Sequence, residues 1–204
     1  MVILLSGCSL NGSKPNPENS NADYVKYKDQ MYINEPKMIV IDSTQLSKID
    51  TVNESSTVPK DTPIYKINGY SDNDIIAVKN TNNALQGKMN IDIYNVYTLL
   101  KDMDVKSKKL DIFDQKIESV DLYKEGQFMR TLHGKESKKF IALVNAAKTT
   151  IHIDSSNAVM YSFLYKLNSA IVLKYNVLEH NNQYMLAYND AELPSAISNY
   201  FQQK

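Results

Sequence analysis

The architecture follows most directly from residues 158–177, AVMYSFLYKLNSAIVLKYNV. Large apolar and aromatic residues occupy every second position in both halves of this segment: Tyr161, Phe163, Tyr165 and Leu167, then Ile171, Leu173, Tyr175 and Val177. Alternate residues of a strand point to the same face, so each half predicts a strand with one buried face. Asn168-Ser169 predicts a tight turn between them. The segment is therefore typical of an antiparallel hairpin.

The residues around this hairpin extend the pattern. A turn at 179–182 leads into a third strand at 184–188, and residues 117–132 predict an earlier hairpin. Residues 135–148 carry an apolar face at helical spacing, and a last helix is predicted near Pro194. We therefore expect an α+β fold in which residues 105–204 form a ββαβββα unit. Its antiparallel sheet is expected to carry the helices on one side.

Residues 24–104 have a different sequence pattern, in which short apolar segments are separated by turn-forming residues such as Asn68-Gly69. This spacing predicts a small β-rich unit, which the charged segment at 101–109 separates from the second unit. Ile93, Val96, Tyr97 and Leu100 fit either a short helix or a strand, and their spacing favours the helix.

Charge and composition exclude some classes of function. The 204 residues include 23 basic and 23 acidic side chains, so the net charge is zero. A nucleic-acid-binding protein is expected to carry a basic stripe, and none is visible, so no nucleic-acid partner is expected. The single cysteine rules out an internal disulfide, so stability has to come from the core.

That cysteine closes an apolar run at residues 1–8, which ends in Leu5-Ser6-Gly7-Cys8. The motif resembles the lipobox of bacterial prolipoproteins of the Gram-positive type. The resemblance implies cleavage before Cys8, a diacylglyceryl anchor on its thiol, and a place on the extracytoplasmic face of the cell membrane. A signal peptide usually has an apolar region of about 7 to 15 residues, so we expect the signal to extend upstream of Met1.

Residues 9–23, SLNGSKPNPENSNAD, are rich in Ser, Asn, Gly and Pro and predict a flexible tether. Further along, the strand, Gly turn and strand at residues 62–78 resemble a pattern of uncharacterised lipoproteins from Bacillus-type and Clostridium-type bacteria. This second resemblance implies a lipoprotein ectodomain and brings no known activity with it.

Residue types with catalytic or metal-binding chemistry are sparse. His133, His152 and His180 are not spaced as paired metal ligands, and no nucleophile elbow or phosphate-binding Gly-rich loop is present. The sequence therefore predicts no metal site, no cofactor and no catalytic residue.

Tyrosines provide the candidate ligand site. Tyr161, Tyr165, Tyr175 and Tyr184 lie on predicted strands, where they either line a groove for a sugar or peptide or build the core. A groove requires several of them to stay partly exposed. We therefore expect a membrane-anchored, non-enzymatic binding module with a protein or cell-wall partner. The alternatives are a cell-surface enzyme acting on cell-wall material through His133, or a sensor or inhibitor of a neighbouring membrane protein.

Overall fold

The computed structural model describes residues 22–80, 91–100, 116–148 and 150–202. Those residues form mostly antiparallel β-sheet with few helices. The lipobox, Cys8 and nearly all of the predicted tether lie outside the described residues, as does the charged segment expected to separate the two units.

The strands are β1 (Tyr24–Tyr27), β2 (Gln30–Val40), β3 (Leu46–Thr51), β4 (Glu54–Ser55), β5 (Pro63–Ile67), β6 (Ile75–Lys79), β7 (Tyr94–Leu99), β8 (Ile117–Lys124), β9 (Gln127–His133), β10 (Val159–Leu167), β11 (Val172–His180), β12 (Gln183–Leu186) and β13 (Ala191–Leu193). The helices are α1 (Gly134–Asn145) and α2 (Ser198–Phe201). Short 3-10 turns lie at Ser43–Gln45, Ser155–Asn157 and Ser195–Ile197.

One sheet connects the two halves of the chain. Its main strand order is β3-β5-β6-β7-β2-β11-β10-β8-β9, with β1 beside β2 and β12 beside β11. The halves meet where β2 pairs with β11, through Ile39 opposite Val172 and Met38 opposite Leu173. Strands of the predicted 24–104 unit are therefore hydrogen-bonded to strands of the predicted 105–204 unit.

The hairpin predicted at residues 158–177 is present. Phe163 of β10 lies opposite Tyr175 of β11, and Tyr165 lies opposite Leu173. β10 also pairs with β8, and β9 continues from β8 into α1. Phe140 and Val144 of α1 are buried, as the apolar spacing of that helix predicted.

Two predicted helices are replaced or shortened. The helix expected around Ile93–Leu100 is wrong, because this part of the chain forms β7 between β6 and β2. The last helix starts later than expected, because Leu193 pairs with Tyr184 in an added strand, β13. The second half thus has one strand more than the predicted ββαβββα order.

The core lies on both faces of the sheet. The largest cluster includes Val96 of β7 and Phe163 of β10, so both halves of the chain contribute to it. A second cluster lies on the other face, where it includes Ile76 and Tyr97. Strand β6 serves both clusters, since Ala77 belongs to the first and Ile76 to the second.

Tight turns with positive φ connect three pairs of adjacent strands. Lys28-Asp29 joins β1 to β2, Glu125-Gly126 joins β8 to β9, and Asn181-Asn182 joins β11 to β12. Both residues of each turn have positive φ, from 49° at Glu125 to 80° at Gly126. This is the geometry of a type I′ turn, whose twist matches that of the flanking strands.

Candidate functional site

The four candidate tyrosines lie mostly in the core. Tyr161, Tyr165 and Tyr184 are between 4% and 6% exposed, and Tyr175 is half-buried. All four belong to or pack against the largest core cluster. The structure therefore brings them together on one face, but that face is covered.

Their rings belong to a continuous set that we call the aromatic network. It consists of Tyr161, Tyr184, Phe201, Phe140, Tyr200, Phe163, Tyr165, Tyr175 and Tyr188, with neighbouring centroids 4.3 to 6.4 Å apart. Tyr161 stacks on Phe201, and Phe140 meets Phe163 edge to face. Such arrangements are favoured by the ring quadrupole. α1 and α2 thus cover the tyrosine-bearing strands by inserting their own phenylalanines.

Within the network, the Tyr165 hydroxyl is buried and has no hydrogen-bond partner among the described residues. Burial raises the pKa of this phenol, and the nearby Tyr175 and Tyr188 phenols raise it further. A buried hydroxyl without a partner costs about 1–3 kcal/mol. The side chain is therefore a neutral, unsatisfied group inside the core.

The network reaches the surface at Tyr188, which is 51% exposed. The Lys37 ammonium lies 3.5 Å from the centroid of the Tyr188 ring and 5.6 Å from that of Tyr175. Partial burial lowers the pKa of Lys37. The cation lies over the faces of these rings, where the ring quadrupole attracts it.

The network also reaches the surface at Tyr200, in a groove of about 960 Å³ that we call the α1 groove. The groove lies between α1 and the C-terminal segment that includes α2, and Arg130 of β9 reaches into it. It is lined by Arg130, Lys135, Glu136, Lys139, Ala142, Leu143, Ala196, Asn199, Tyr200 and Gln202. Its volume lies at the upper end of the usual range for ligand pockets.

Cations predominate in the α1 groove. Arg130 forms an ion pair with Glu136, with 3.0 Å between nitrogen and oxygen, and its guanidinium lies 5.8 Å from the centroid of the Tyr200 ring. Lys135 and Lys139 form no ion pair within the part of the chain that the structure describes. After the Arg130–Glu136 pair is counted, the groove retains two positive charges.

The floor of the groove is apolar and fixed. The Tyr200 ring meets Phe140 edge to face at 5.2 Å, and Phe140 is completely buried. Leu143 and Ala142 continue the apolar surface along α1. An apolar floor beside two lysine side chains can accept a ligand that is both apolar and acidic.

A second pocket of about 650 Å³ lies where the two halves of the chain meet. It is lined by polar side chains from both halves, including Asp42 and Asn68 of the first and Glu118 and Lys166 of the second. Two of the lining side chains are acidic and one is basic, and Lys166 already forms an ion pair with Asp121, so this lining does not favour an acidic ligand.

The histidines do not form a catalytic or metal-binding cluster. His133 is exposed at the N-terminus of α1 and lines neither pocket. His152 and His180 are exposed and lower the pKa of Asp154 electrostatically, after the larger effect of its hydrogen bonds with Ser156. Among the described residues, no group of three or more His, Cys, Asp or Glu side chains is placed to hold a metal ion.

Sequence reasoning missed the α1 groove. The sequence predicts an apolar face over residues 135–148 and a last helix near Pro194, but it does not place the two helices relative to each other. A groove forms only where the two helices pack side by side, and no motif marks that packing. In the described part of the chain, no helix combines the length and apolar character that a membrane crossing requires.

Comparison of the chain with protein-family models, with curated proteins and with solved structures gave no match. Functional inference for this protein therefore rests on the geometry of its surface and on its sequence.

Proposed function

We propose that this protein is a membrane-anchored extracytoplasmic lipoprotein that acts as a non-enzymatic binding module. In this proposal a lipid on Cys8 holds the protein at the outer face of the cell membrane, and residues 9–23 serve as a tether. Residues 105–204, proposed as a ββαβββα unit with one added strand, present the binding surface to a protein partner.

One observation carries the binding role, namely the α1 groove. It combines a volume of about 960 Å³ with an aromatic floor and two lysines without ion-pair partners among the described residues. Binding sites typically join apolar contact area with a few placed polar groups, and this groove has both. The surface is formed by α1 and the C-terminal segment, which the aromatic network ties to the core.

The other two hypotheses receive different support. A cell-surface enzyme was expected to use His133 with a carboxylate in a pocket, and no hydrogen bond or ion pair links His133 to a carboxylate in the described residues. A sensor or inhibitor of a neighbouring membrane protein needs a protein-binding surface, and the α1 groove is the surface that we propose for that binding. The inhibitor or sensor role is thus a special case of the binding module.

Anchoring is tested by lipid labelling of the full chain in a Gram-positive host that is fed an alkyne-bearing fatty acid. We expect the wild-type protein to carry the label and to sediment with membranes, because the Cys8 thiol accepts the lipid. Cys8→Ala should lose both properties, whereas the neighbouring Ser9→Ala should keep them. Equal labelling of the Cys8→Ala variant would refute the anchor.

Binding through the groove is tested by photo-crosslinking on intact cells of the same host. A photoreactive amino acid replaces Ala142, which is exposed and lines the α1 groove. The matched control places it at Lys66, which is exposed on β5. We expect a discrete crosslinked protein from position 142 and none from position 66. Identical patterns at both positions would exclude the groove as the binding surface.

A further inference from the structure

We infer that the α1 groove recognises an extended acidic peptide segment in which two carboxylates are separated by one apolar residue. This inference rests on the proposed function, because it names the partner chemistry of the same surface.

The spacing of the two lysines supports the extended form. Lys135 and Lys139 are four residues apart on α1, and a helix rises about 1.5 Å per residue, so they are offset by about 6 Å along the helix. In an extended peptide, side chains two residues apart point to the same side and are separated by about 6.5 Å. Two acidic residues at positions i and i+2 therefore match the two lysines.

The electrostatics of α1 support an acidic partner. Like charges four residues apart on a helix repel each other. Lys135 and Lys139 are both exposed and have no carboxylate partner in the described residues, whereas the carboxylate of Glu136 is occupied by Arg130. A pair of ligand carboxylates would remove the repulsion and form two ion pairs.

The apolar floor distinguishes a peptide from a simple anion. Tyr200, Leu143 and Ala142 offer surface that a phosphate or a free carboxylate cannot cover. An apolar side chain between two acidic ones points to the other side of the extended backbone, away from the lysines. Ala196 and Tyr200 of the C-terminal segment provide apolar lining for it. The groove therefore favours a peptide over inorganic phosphate or a free carboxylate.

Fluorescence anisotropy with labelled pentapeptides tests this inference on the full chain carrying Cys8→Ser, which prevents lipidation. The probe is Leu-Glu-Phe-Glu-Leu, and the control is Glu-Glu-Leu-Phe-Leu, which has the same composition but adjacent carboxylates. We expect the probe to bind at least fivefold more tightly than the control. Binding should weaken as salt is raised, because the ion pairs are exposed.

Two charge-reversed proteins complete the test. Lys135→Glu combined with Lys139→Glu should weaken probe binding about tenfold or more, because attraction becomes repulsion. Lys48→Glu combined with Lys66→Glu changes the net charge equally at exposed positions on β3 and β5, and it should leave binding unchanged. Both lysines of each pair are exposed, so we expect both variants to fold with an intact core.

Equal binding of the two peptides would overturn the inference, and so would equal weakening by both double variants. Displacement of the probe by inorganic phosphate at millimolar concentration would show that the groove is a general anion site, which also overturns it. None of these results affects the crosslinking expected from position 142. The proposed binding role and the proposed acidic ligand are therefore tested independently.

Discussion

Tyr165 and Tyr97 are both buried tyrosines, but their hydroxyl groups are in opposite situations. The Tyr97 hydroxyl donates to the Asp23 carboxylate, with its oxygen 3.3 and 3.4 Å from the two carboxylate oxygens. The Tyr165 hydroxyl has no hydrogen-bond partner in the part of the chain that the structure describes. The two residues therefore form a matched pair for measuring what a buried hydroxyl contributes to the free energy of unfolding.

Tyr165→Phe removes only the unsatisfied hydroxyl, so the free energy of unfolding should stay the same or rise by about 1 kcal/mol. Tyr97→Phe removes a hydrogen bond to a charged group, so the free energy of unfolding should fall by about 1–2 kcal/mol. Urea denaturation of both variants measures these changes. A loss of more than 1 kcal/mol in Tyr165→Phe would mean that this hydroxyl is satisfied in solution.

The sequence placed the candidate tyrosines on predicted strands but left their exposure open. Strand alternation places Tyr161, Tyr165 and Tyr175 on the same face, because the side-chain period of a strand is two. Whether that face is a groove or a core depends on what packs over it. Phe140 and Phe201 cover it, and they come from helices whose placement the strand pattern does not encode.

At the scale of elements, the two-residue turns differ in how well their residues suit the required backbone. Type I′ turns need positive φ at both positions, which favours Asn and Gly. Asn181-Asn182 has the preferred residue type at both positions. Lys28-Asp29 has neither Asn nor Gly, yet Asp29 adopts the required positive φ of 56°. The first hairpin therefore forms in spite of its turn residues, because β1 and β2 pair over four residue pairs.

Asp29→Gly should raise the free energy of unfolding by about 0.5–1 kcal/mol, because glycine adopts positive φ without steric cost. The matched opposite change is Gly69→Ala, at a φ of 85°, where an added Cβ would meet no atom of the described residues within 4 Å. It should lower the free energy of unfolding by about 1 kcal/mol through the backbone alone. Thermal denaturation checks both changes, and destabilisation by Asp29→Gly would contradict the turn argument.

Strand β7 explains why the sequence favoured a helix there. β7 lies between β6 and β2, and its two faces meet different core clusters, with Val96 in one and Tyr97 in the other. A strand buried on both faces loses the alternation of apolar and polar residues that identifies a strand. Val96 and Tyr97 are adjacent and both apolar, and such a pair also fits helical spacing.

At the scale of the whole molecule, one sheet contains strands from both units that the sequence predicts, 24–104 and 105–204. The sequence pattern predicts a division of the chain near residue 104 into a β-rich unit and a ββαβββα unit. The pairing of β2 with β11 joins residues more than 130 positions apart, such as Ile39 and Val172. No local pattern encodes a contact of that range, so the continuous sheet could not be predicted.

Alkaline pH should unfold both halves together. Burial, with a smaller effect of Asp121, raises the pKa of Tyr123 to about 12, and burial followed by Asp23 raises that of Tyr97. An unfolded tyrosine has a pKa near 10, so above that pH the unfolded state binds fewer protons than the folded state. Stability is therefore complete below about pH 10 and falls as pH rises through 12, by about 3 kcal/mol for Tyr123.

Absorbance of tyrosinate and far-ultraviolet circular dichroism, recorded together between pH 8 and pH 13, measure this transition. Because Tyr97 and Tyr123 lie in different halves of one sheet, we expect the buried tyrosines to ionise in a single step that coincides with loss of β-structure. Two separate steps would show that the halves unfold independently.

The aromatic network has an optical consequence. The chain contains 14 tyrosines and no tryptophan, so its near-ultraviolet emission comes from tyrosine alone. The phenol rings in the network are close enough for excitation to pass between them, and Tyr200 at one end lines the α1 groove. A quencher bound in that groove would lower the fluorescence of distant tyrosines as well as that of Tyr200. Tyrosine fluorescence therefore reports whether the α1 groove is occupied.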